Sequence, residues 1–153
     1  MALQPGLAGP ALADLGKRLP RPSAILMISP HWDTPEATVS TASTPDTIHD
    51  FYGFPAPLYA IRYPAPGAPA LAQRVAELLQ GAGISCDLDA HRGLDHGVWS
   101  PLRFMYPAAD IPVTQLSLQS HKPPSDQYRI GLALAPLARE NILIIGSGSM
   151  CCR

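Results

Sequence analysis

The chain has 153 residues, 46% hydrophobic and only 15% charged, with a formal net charge of −1. That length suits one domain able to bury about two thirds of its unfolded surface, and the near-neutral charge excludes the basic footprint expected of a binder of nucleic acid or anionic lipid. No apolar run approaches the ~20 residues of a membrane span, and Lys17 and Arg18 follow the first apolar residues, which excludes a signal-peptide pattern; the expected location is the cytoplasm.

Residues 11–19 place Leu12, Leu15 and Leu19 on one helical face, and Arg21-Pro22 ends that helix. Residues 24–28 (AILMI) predict a continuous apolar strand of the kind buried in parallel sheets. Residues 37–42 (ATVSTA) predict a strand nearer an edge, and residues 43–67, dense in Pro, Gly and aromatics, a long loop. A helix over 69–79 turns Leu71, Val75, Leu78 and Leu79 inward and stops at Gly81 and Gly83. A short strand follows at 84–88, then one or two helical turns over 99–105, then a strand over 112–118. Residues 127–139 predict a helix kinked or shortened by Pro136. Residues 141–145 (NILII) predict a last buried strand, opening into Gly146-Ser147-Gly148-Ser149.

Strands alternating with helices predict a single α/β domain, its sheet largely parallel or mixed and flanked by helices. The 18 prolines lie between apolar runs, so they stiffen loops rather than form a tract. Cys86, Cys151 and Cys152 form neither a disulfide framework nor a zinc motif, being odd in number with two adjacent.

In such sheets ligands bind beyond the carboxyl ends of the strands. His31 lies just past one such end in "ISPHW", where it either caps the strand or serves a site. "TIHDFYGFP" at 47–55 is either an aromatic cover for the core or the wall of a pocket for a flat substrate. His49 and Asp50 are adjacent there, a spacing that does not define a catalytic pair. In "RGLDHGVW" at 92–99, Asp95 is either the N-cap of a helix or the neighbour of an imidazole, His96, presented to a ligand. His91 and His121 are expected at the surface. The Gly-Ser turn could nest a phosphate, but it lacks the P-loop lysine and the G-x-S-x-G pattern of a hydrolase.

Taken together, "SPHW" at 29–32, "TIHDFYGFP" at 47–55, "YPAPGAPALA" at 63–72, "GLDHGVWSPL" at 93–102, "MYPAADIPVTQLSL" at 105–118 and "ILIIGSGS" at 142–149 resemble the DODA-type class III extradiol ring-cleavage dioxygenases of the LigB superfamily. The resemblance runs from about residue 5 to 149. It implies a non-haem Fe(II) or Zn(II) cofactor, a small catechol-type substrate and O2, and no nucleic-acid or membrane partner. Residue by residue, it implies that His31 is a metal ligand and that His49 and His96 are catalytic. It also implies an H-G-x-P motif before residue 5 and a T-H-N motif after the Gly-Ser turn, neither of which is in this sequence. The expectation is therefore one partial catalytic domain over 1–153, truncated relative to the family and inactive for want of ligands and of the catalytic histidine. The alternative is a non-enzymatic binding module of the same scaffold, as in Memo-like proteins.

Overall fold

The computed structural model describes residues 6–148. In chain order these form α1 (Ala8–Arg18), β1 (Ala24–Asp33), β2 (Ala37–Ser40), α2 (Ala56–Tyr59), α3 (Pro69–Gly81), β3 (Cys86–Asp89), α4 (His96–Met105), β4 (Val113–Leu118), α5 (Pro124–Leu134), a 3-10 turn (Ala135–Arg139) and β5 (Ile142–Gly146). Pro136 acts as expected. It cannot donate an amide hydrogen bond, and the last turn tightens from α to 3-10 around it.

The five strands form one sheet in the order β3-β2-β4-β1-β5. β1 runs parallel to β4 and β5, β2 parallel to β3, and β2 meets β4 antiparallel. The sheet is thus mixed, within the expected class. Alternation along β1 separates two cores, as a period of two requires. Leu26 joins Val39, Val75, Leu79, Leu116 and Leu137 on the face covered by α3 and α5. Ile25 and Met27 join Trp99, Leu102, Ile111 and Val113 on the face covered by α4. Burial of each such side chain stabilises the fold by about 1.5–3 kcal/mol.

Two strand expectations need correction. β1 does not end at Ile28; it runs on to Asp33, so His31 lies within the strand rather than past it. β5, expected to be buried, is among the described residues an edge strand paired only with β1, and its Ile144 is 36% exposed. Its apolar run is that of a central strand, but pairing order is not written in composition. Among the described residues, no helix is long and apolar enough to cross a membrane.

Candidate functional site

β1 is regular only as far as Ile28. Up to that point it pairs in register with β4 and β5, and pairing with β4 resumes, shifted, at Asp33 opposite Leu118. Ser29, Pro30, His31 and Trp32 occupy the irregular section. Trp32 turns inward and is buried, while the His31 side chain stays 38% exposed. The break in register is what frees His31 from the sheet face.

A second segment is led to the same place by backbone pairing. Leu94 N donates to Asp46 O at 2.7 Å and Ile48 N donates to Leu94 O at 2.7 Å, so the loop carrying "IHD" runs alongside the entry to α4. Asp50 Oδ1 then accepts the His96 backbone N–H at 2.9 Å. The third contributor is α4, whose N-cap is Asp95, as one of the two readings of that residue expected; its carboxylate accepts the Gly97 N–H at 3.0 Å.

The three segments bring together His31, Asp50 and His96, with one donor atom of each inside a span of 4.8 Å. The imidazoles of His31 and His96 have ring centres 4.0 Å apart. His31 Nδ1 is 3.6 Å from Asp50 Oδ2, and His96 Nδ1 is 2.9 Å from Asp50 Oδ1. His96 Nδ1 and Asp50 Oδ2 are both buried without a hydrogen-bond partner. Burial pushes the Asp50 carboxyl up, but the His96 amide and imidazole outweigh it and hold the group below its ordinary value.

His49, which the family resemblance placed in the active site, is not part of this trio. Its Nε2 lies 3.0 Å from Ile61 O and 3.4 Å from Arg62 Nη1. Its ring stacks among Phe51, Tyr59 and Trp99 at centroid distances of 5.7 to 6.0 Å. Phe51 in turn meets His96 edge-on at 5.4 Å, so the aromatic loop walls the site as well as covering the core. His91 and His121 are exposed, as expected.

Sequence reasoning did not single out Asp50 or the partners of Asp95, and weighed Ser147 only as part of a Gly-Ser turn that could nest a phosphate. Asp50 was passed over because adjacency to His49 looked unproductive; its own distance to His96 exists only in three dimensions. Ser147 follows β5, with N donating to Ile28 O at 2.9 Å and a buried Oγ without a partner. It borders a trough of ≈ 1370 Å³ that runs between α1, α4 and β5 and opens onto His31 and His96. Ser149, Cys151 and Cys152 lie outside the described residues. Cys86 is a free, half-buried thiol, its pKa raised by burial to about 11.

Two imidazoles and a carboxylate, two of their polar atoms unpartnered, form a donor set that first-row divalent metals accept. The count of protein donors beside His31 is therefore larger than the motifs alone suggested. The three side chains lie toward the carboxyl end of a parallel strand, beside an aromatic wall, where a divalent cation could be held.

Residues 10–152 match the catalytic LigB subunit of aromatic ring-opening dioxygenase, and the chain belongs to that family. It is 56% identical over 130 residues to the 4,5-DOPA dioxygenase extradiol of Beta vulgaris, an alignment covering 84% of this chain and 48% of that protein. The Escherichia coli (strain K12) protein of the same name is 50% identical over 136 residues, covering 89% of this chain and 50% of that one. The crystal structure of an uncharacterized Escherichia coli K12 protein superposes with a TM-score of 0.80 at 41% identity, over 97% of this chain and 55% of the other. The chain thus spans about half the length of the curated relatives it matches. The resemblance read from the motifs and the expected fold class both hold.

Proposed function

We propose that this chain carries the reaction centre of an extradiol dioxygenase that opens the ring of a catechol-type aromatic, with a divalent metal held by His31 and Asp50. The observation that carries the reading is the convergence of His31, Asp50 and His96 within 4.8 Å. When bound, Fe(II) would supply Lewis acidity toward the diol oxygens and a route for electrons to dioxygen, whereas Zn(II), having no redox chemistry, would supply only the first.

The residues of this chain do the rest. His96, whose ring borders the trough, takes a proton from the diol. Asp50, 2.9 Å away, holds the His96 ring in place. Phe51 and the apolar trough hold the flat ring and exclude water, and His49 fixes the aromatic loop through Ile61. Both atoms of O2 enter the product, a ring-opened acid carrying a semialdehyde group, so no external reductant is consumed. Relatives named for 4,5-DOPA make a catechol amino acid the first substrate to try.

The test is anaerobic Fe(II) loading followed by L-DOPA and air. A yellow product that His31→Ala abolishes, together with metal binding, is the expected result. His96→Gln should keep the metal and lose the product. A wild-type chain that binds no Fe(II) and makes no yellow product would overturn the reading. The binding-module alternative has one observation in its favour, the open β5 edge beside the trough, and such a chain would do neither.

A further inference from the structure

Asp95 lies next to His96 and is fully buried, with no exposed surface. A helix N-cap ordinarily satisfies one or two backbone amides. This carboxylate is met by four donors from four parts of the chain. Ser29 Oγ of β1 donates at 2.7 Å, Gly97 N of α4 at 3.0 Å, Arg92 Nη2 at 3.0 Å and Gln115 Nε2 of β4 at 3.2 Å. The residue's own N–H donates to Gln115 Oε1 at 3.2 Å.

Two of those donors reach on to His31. Ser29 Oγ accepts the His31 N–H at 3.3 Å, and Arg92 Nη2 also donates to His31 O at 3.2 Å. The Arg92 guanidinium lies over Trp32 with its carbon 5.2 Å from the ring centroid, which holds that bridge in place. One buried carboxylate therefore fastens both peptide groups of His31 and the first turn of the helix that begins at His96.

We infer that Asp95 is a positioning residue, setting the separation of the His31 and His96 imidazoles by tying β1 to the start of α4. The inference rests on the reading of that pair as the reaction centre. Only a carboxylate suits the place: with four donors converging, a carboxamide would turn its NH2 group toward Ser29 or Arg92. Outer partners of metal-binding histidines are worth about 10- to 100-fold in metal affinity when removed.

The experiment separates a positioning role from a mere cap. Serine caps a helix about as well as aspartate, so Asp95→Ser keeps the cap and deletes the rest. Ser29→Ala removes one bridge to His31, leaves both the cap and the Arg92 pair, and is the gentler variant should the first fail to fold. In metal-free protein, nuclear Overhauser contacts between the His31 and His96 ring protons report their separation, and Co(II) titration reports the metal site. The expected result is strong ring contacts and Co(II) binding in the wild type, with weakened contacts and roughly tenfold weaker Co(II) binding in folded variants. Folded variants with wild-type ring contacts would overturn the inference. A wild type that ignores Co(II), while its variants lose the ring contacts, would overturn the functional reading and leave the positioning role standing.

Discussion

Gly97 sits against Ser29 so closely that a Cβ at position 97 would overlap the Ser29 hydroxyl oxygen and stand 3.0 Å from His31 Cδ2. The first turn of α4 can approach β1 only because residue 97 has no side chain. Gly97→Ala should destabilise the protein by about 1–3 kcal/mol, the usual cost of overpacking. The same substitution should separate the two imidazoles. Urea unfolding measures the first effect and ring-proton contacts the second; a variant as stable as the parent would show that β1 yields easily here.

Asp50 makes the centre's stability depend on acid. Its carboxyl is held below the ordinary value of 3.8, so the folded state binds that proton less readily than the unfolded chain does. The contribution is fully present above 3.8 and is lost as pH falls through the depressed folded value. The stability difference between wild type and Asp50→Asn should therefore shrink on acidification through that window. Denaturation curves at a series of pH values check it, and a difference that grew toward low pH would contradict the sign.

Trp99 joins the core to the aromatic loop. It is almost wholly buried, and its Nε1–H donates to Ile48 O at 2.8 Å, two residues before Asp50. Trp99→Ala should cost about 3–5 kcal/mol, as large aromatic truncations do. Trp99→Phe keeps most of the packing and leaves the Ile48 carbonyl without its partner, for a smaller loss of about 1–3 kcal/mol. Thermal unfolding of the two variants separates packing from hydrogen bonding.

The β5 edge predicts self-association. Among the described residues its outer side is unpaired, the strand carries no charged residue or proline to discourage pairing, and Ile144 is exposed. Ile144→Lys should leave the unfolding midpoint nearly unchanged and reduce concentration-dependent light scattering. Equal scattering from both proteins would show that the edge is not where copies meet.

By itself the sequence determined most of the elements and their class, but not α2, which forms inside the expected loop, nor the start of α4 at His96 rather than Trp99. Helical spacing of leucines placed α1 and α3, apolar runs placed β1, β4 and β5, Pro136 marked the end of α5, and the residues around Asp95 already suggested a helix start. These are local signals, carried by side-chain periodicity and backbone restriction over a few residues. The motifs also carried the family and drew attention to His31 and His96. Tertiary structure decided the rest. It put β5 at an edge and ran β2 against β4, since strand order depends on contacts between distant segments. It chose Asp50 over His49 as the neighbour of His31, because the pairing of Ile48 with Leu94 steers the loop so that one side chain meets α4 and the other meets Ile61. It also gathered four donors on Asp95 from β1, β4, α4 and the loop before it. A carboxylate's partners are fixed by which backbones the fold brings within 3 Å or so of it, and that is a property of the assembled sheet and helix rather than of any short stretch of chain.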